Sequence, residues 1–184
     1  MSKTKRRVVV TGMGCVSPLG IGVKPTWDAL VAGQSGIGRV KAFDPSGMDS
    51  QIAGEVKGFV FDSDMLGKKK EFLTPWLART GEFVLTATRE ALEDAGLMGK
   101  LGEVGPVCMS LGGHEETYTM ELMHKLVPLE FVVRNMRNNV ASLDGFPAGM
   151  ADKVLRRQAS AMLFLVGATF GCTGPAVASS SACG

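Results

Sequence analysis

The sequence predicts an α/β fold with a largely parallel or mixed sheet. Two observations carry that expectation. Runs of β-branched or small residues at Arg7–Gly12, Gly105–Gly112 and Pro175–Ser181 have the composition of sheet strands, and the first two end in glycine. Between them lie segments whose apolar residues recur at helical spacing, so strands and helices alternate. No self-similarity at solenoid periods is present.

Arg7-Val-Val-Val-Thr-Gly12 reads as a buried first strand. Met13–Gly22 is rich in Gly, Ser and Pro and reads as a loop. Pro25–Ala32 reads as a short helix, with proline in its first turn and Gly33 just past its end. Residues 33–70 read as an excursion of loops and short strands. Phe43–Gly47 is a turn there, Gln51–Val56 an edge strand, and Lys68–Lys70 a solvated corner. Thr74–Ala95 is the clearest helix. Thr74 is its expected cap, Pro75 its first residue and Gly96 its left-handed end, while Leu77, Val84, Ala87, Ala91 and Ala95 fall near one face.

Gly105–Gly112 reads as a second buried strand. Glu115–Leu126 and Phe146–Arg157 read as helices, the latter opened by Pro147. Phe131–Val133 could be a strand, and Asn135–Asn139 resembles a polar loop. After Arg157 no charged side chain occurs. The densest apolar stretch, Ala159–Phe170, is short of the roughly 20 residues a bilayer span needs, so it is expected in a core. Pro175–Ser181 is a strand of small residues that leads to Cys183.

Composition narrows the function. Hydrophobic residues make up 45% of 184, enough for a sizeable core. The net charge of +2 gives no support for nucleic-acid binding, and the basic start Lys3–Arg7 reads as a solvated terminus. Cys15, Cys108, Cys172 and Cys183 form no C-x-x-C pair, and only two histidines are present, so no structural zinc site is expected. No signal peptide is evident, and reduced thiols in the cytoplasm are expected. Gly12-Met-Gly-Cys-Val-Ser17 lacks the third glycine of a dinucleotide fingerprint, and no acid-ended strand follows it at the right distance. No cofactor is expected.

The chemistry-bearing candidate is Cys183. A run of small residues, Gly174-Pro-Ala-Val-Ala-Ser-Ser-Ser-Ala182, delivers its thiol. A nucleophilic cysteine needs an activating helix N-terminus or positive neighbour and a donor for an oxyanion. The plain alternative is a small buried thiol, which is also the reading for Cys15, Cys108 and Cys172.

Several segments, in order, carry a resemblance. Arg6–Gly20 resembles the opening strand and loop of the β-ketoacyl-acyl carrier protein synthases of the elongating type. Trp27–Ile37 is similar to the helix and turn that follow, and Phe43-Asp44 to the next landmark. Ala87–Gly96 is similar to the end of that family's first long helix, and Gly174–Cys183 to its nucleophile motif. The likeness is good over residues 5–112 and partial over 147–184. Residues 113–146 and 158–169 diverge.

The resemblance implies a thiolase-like fold of two similar halves, of which residues 5–184 would be the N-terminal one. That half is a mixed sheet with helices on both faces, here truncated at the nucleophile. It implies that Cys183 accepts an acyl group from acyl carrier protein or coenzyme A. A decarboxylating Claisen condensation with a malonyl-carrier thioester would follow, in fatty-acid or polyketide synthesis. The family's catalytic histidines come after its cysteine. His114 and His124 precede Cys183, match no catalytic position and are expected on the surface or in loops. Only Gly184 follows Cys183 here, so the chain is expected to be inactive alone. Acyl carrier protein is the implied partner, with a homodimer or pairing with a synthase as the assembly. No nucleic acid and no membrane partner are expected. The alternative function is a non-catalytic partner of a full-length synthase.

Overall fold

The computed structural model describes residues 7–104, 106–112 and 159–179. Element order among them is β1 (Val16–Ser17), β2 (Gly20–Ile21), α1 (Val23–Val31), β3 (Ile37–Arg39), β4 (Ile52–Gly54), α2 (Lys70–Leu73), α3 (Arg79–Asp94), β5 (Met109–Gly112), α4 (Ala159–Phe170) and β6 (Ala176–Ser179). Short 3-10 turns lie at Ser63–Lys69, Thr74–Trp76 and Leu101–Glu103. The chain divides into two compact units, Met1–Asp62 with Glu82–Leu101, and Ser63–Gly81 with Gly102–Gly184.

In the first unit, α3 organises what precedes it. Gly12 and Gly14 lie directly on its backbone. A Cβ on Gly14 would stand 1.8 Å from the Ala87 carbonyl oxygen, and one on Gly12 would stand 2.2 Å from that of Ala91. Contacts that short exclude any side chain, so these positions need glycine for close approach. The chain then forms a small antiparallel hairpin, β1–β2, with Val16 opposite Ile21 and Ser17 opposite Gly20. Ser17 Oγ accepts from the Leu19 and Gly20 N–H groups at 3.2 and 3.3 Å and lies 3.1 Å from Thr26 Oγ1, which fixes the turn to α1.

Helix α1 begins two residues before the expected Pro25. Its end is a Schellman motif: Gly33 (φ 68) donates to Leu30 O, and Gln34 donates to Ala29 O, both at 3.0 Å. Ala29 is its only buried residue, while Trp27, Leu30 and Val31 are exposed. Strands β3 and β4 pair antiparallel with Arg39 opposite Ile52, which places an edge strand within Gln51–Val56 as expected. The Phe43–Gly47 turn is held by the Asp44 carboxylate, which accepts from the Ser46 N–H at 3.1 Å and from the Ser46 hydroxyl. Phe59 packs edge-on against Phe83, ring centroids 4.8 Å apart.

The first-strand expectation fails. Arg7–Gly12 has no strand structure, and Val8, Val9 and Val10 are 95, 66 and 80% exposed. Strand propensity is realised only against neighbours, and among the described residues no strand pairs with this run.

The clearest helix is also shorter than its spacing suggests. Leu77 is extended (ψ 126), so α3 starts at Arg79, and Thr74–Trp76 is a separate 3-10 turn. Thr74 does not cap α3. Its hydroxyl donates back to Lys70 O at 2.6 Å and closes α2 instead. The far end agrees with expectation: Gly96 (φ 68) donates to Glu93 O and Leu97 donates to Leu92 O, a second Schellman motif.

The second unit is built on the β5–β6 pair and α4. The strands run parallel, Met109 opposite Ala176 through Gly112 opposite Ser179. Helix α4 packs on both strands and on the Ser63–Lys69 turns. It is apolar all round, as a helix enclosed in a core should be. Ala161, Met162, Leu163 and Leu165 are buried, Leu165 to 1% exposure, and Phe164 packs against Phe72 and Trp76. This is the core segment expected of Ala159–Phe170. No described helix is long and apolar enough to cross a membrane. Lys69 lies on the exposed lysine corner, and its ammonium donates to the Ala168 carbonyl in the last turn of α4, where a cation suits the helix dipole. The second strand is less buried than expected. It begins at Met109, and over Pro106–Ser110 exposed residues alternate with half-buried ones. The helices expected at 115–126 and 146–157, the strand and loop at 131–139, and both histidines lie outside the described residues.

Candidate active site

Glycine and proline set the entry into β6. Gly174 donates to Val107 O at 3.1 Å, and Met109 donates to Pro175 O at 2.9 Å, so the parallel ladder is already formed before β6 begins. A Cβ on Gly174 would stand 2.2 Å from Val107 O, which leaves glycine as the residue that fits. Pro175 has no N–H to give the ladder, and here its carbonyl alone is used. On the other side, a Cβ on Gly167 of α4 would lie 3.2 Å from Met109 Cε, so the helix sits close on β5. β6 ends at Ser179, and Cys183 follows it in the sequence, outside the described residues.

The remaining cysteines are free thiols: Cys108 is exposed, and Cys15 and Cys172 are half-buried. Burial pushes the Cys172 thiol above its ordinary range, which disfavours thiolate and nucleophilic behaviour there. Among the described residues no group of three His, Cys, Asp or Glu side chains is placed to hold a metal.

A second constellation, not anticipated from the sequence, orders the Met13–Val23 loop. Helix α1 starts after Gly22 (φ 102, ψ 157), which has no side chain to cap it. Glu90 of α3 supplies the cap. Its carboxylate accepts from Val23 N at 2.7 Å and from Cys15 N at 2.9 Å. One helical turn on, Asp94 accepts from Met13 N at 3.0 Å. Carboxylates four residues apart on one face thus hold both ends of the loop. The signal was present as acids at 90 and 94 interleaved with alanines at 87, 91 and 95. What could not be read from the chain was which backbone they meet. An open groove beside the loop is lined by Met13, Val23, Trp27, Glu90, Glu93 and Asp94.

Comparison with known proteins fits this architecture. The model of the β-ketoacyl synthase N-terminal domain matches residues 5–184. The 3-oxoacyl-[acyl-carrier-protein] synthase 2 of Vibrio cholerae serotype O1 is 43% identical over 94 residues, which are 51% of this chain and 22% of that protein. The oxytetracycline polyketide putative β-ketoacyl synthase 1 of Streptomyces rimosus is 40% identical over 95 residues, 52% of this chain and 21% of that protein. The ishigamide ketosynthase/chain length factor structure superposes with a TM-score of 0.67 at 23% identity, covering 96% of this chain and 40% of that one. The chain therefore spans well under half the length of such proteins, and its mixed helix-and-sheet fold corresponds to an N-terminal half of the thiolase-like type. This chain belongs to the β-ketoacyl synthase family, whose N-terminal domain it carries.

Proposed function

We propose that the chain is the acyl-accepting half of a 3-oxoacyl-[acyl-carrier-protein] synthase, one domain over residues 5–184 with Cys183 as nucleophile. Cys183 Sγ attacks the carbonyl carbon of a carrier-bound acyl thioester. A new C–S bond forms, and the carrier thiol leaves with the proton. The malonyl-carrier thioester then loses carbon dioxide. Its carbanion attacks the acyl-Cys183 carbonyl, a C–C bond forms, and the Cys183 thiol is released and reprotonated. A cysteine suits this sequence because its thioester stays activated toward a carbanion.

The observation that carries the reading is the family match running through Gly174–Cys183. It is supported by the glycine-dependent ladder at Gly174–Pro175, which opens the same sequence motif. The names of the relatives above support acyl carrier protein as partner and a place in fatty-acid or polyketide synthesis; assembly as a homodimer or with a synthase, and a cytoplasmic setting, belong to the same proposal. Both histidines of these 184 residues come before Cys183. The condensation step is therefore assigned to groups outside them, and the chain by itself is expected to load without condensing.

The test is intact-mass measurement after incubation with a series of acyl-carrier thioesters of different length. The chain is expected to gain the mass of one acyl group, and Cys183→Ala none. Equal mass gains for parent and variant would overturn the nucleophile. Formation of β-ketoacyl product from malonyl-carrier by the chain alone would overturn the division of labour. Absence of an adduct together with co-elution with a full-length synthase would replace the reading by that of a non-catalytic partner.

A further inference from the structure

No further inference is drawn: the strongest candidate, the open groove beside α1 and α3 floored by Met13, Val23 and Trp27, carries nothing because nothing in the structure shows what covers it and its carboxylates Glu90 and Asp94 are already held by backbone N–H groups of the neighbouring loop.

Discussion

Glu90→Ala tests how the loop and α1 are held. The carboxylate takes two half-buried backbone donors, Val23 N at 2.7 Å and Cys15 N at 2.9 Å, and the first of these opens a helix that has no cap of its own. A hydrogen bond to a charged group contributes about 1.5–3 kcal/mol, and a stranded half-buried N–H recovers part of that from water. Taking the lower end for both bonds gives a loss of about 3 kcal/mol. For a chain of this size each kcal/mol moves Tm by about 2–4 °C, so Tm should fall by roughly 6–12 °C. Glu90→Gln keeps one acceptor oxygen but turns an amide N–H₂ toward the other donor, and should lose about half as much. Thermal unfolding followed by circular dichroism reads the total. Hydrogen exchange at the Cys15 and Val23 amides reads the local part. A Tm within about 2 °C of the parent, with both amides still protected, would refute the reasoning.

Further outcomes follow from the same contacts. Gly14→Ala forces a Cβ to 1.8 Å from the Ala87 carbonyl, backbone that cannot swing aside; it should cost about 3 kcal/mol or more in chemical denaturation. Iodoacetamide at mildly alkaline pH should label exposed Cys108 ahead of Cys172, whose thiol burial pushes up; peptide mass mapping that finds Cys172 first would contradict its placement. The backbone N–H groups of Lys41 and Ala42 hold the Glu55 carboxyl below its ordinary range. A depressed carboxylate stabilises above its unfolded value and loses that contribution as pH falls through its folded one, so the acid limb of a Tm–pH profile should be shallower in Glu55→Gln than in the parent.

The parts of the fold that were legible in the sequence are those decided locally. Gly33 and Gly96 mark helix ends because glycine takes φ 68 without the steric cost a side chain brings, whatever the rest of the chain does. Asp44, Pro45 and Ser46 make a turn from their own side chains. Ala159–Phe170 declares itself as core by being apolar on every side. Elements that depend on distant partners were misread. Val8–Val10 has strand composition, yet none of the described strands pairs with it. Thr74-Pro75 has the signature of a helix start, but the Thr74 hydroxyl turns back to Lys70 and the extended Leu77 delays α3 to Arg79. At the candidate site the Gly174-Pro175 pair was visible as a motif. The reason for its glycine, a 2.2 Å approach to Val107 O, became visible only when β5 and β6 were side by side. Glu90 and Asp94 were plain acids on a helix until the loop they hold was in view.

The most direct test of the acyl-acceptor claim is peptide-level location of the acyl group. Within residues 158–184 there is no lysine or arginine, so trypsin leaves Cys172 and Cys183 on one peptide that begins at Gln158. After incubation with an acyl-carrier thioester, fragmentation of that peptide should place the whole added mass on Cys183, in the parent and in Cys172→Ala alike. An unmodified Cys183, with the acyl group on Cys172 or on no cysteine, would contradict the account.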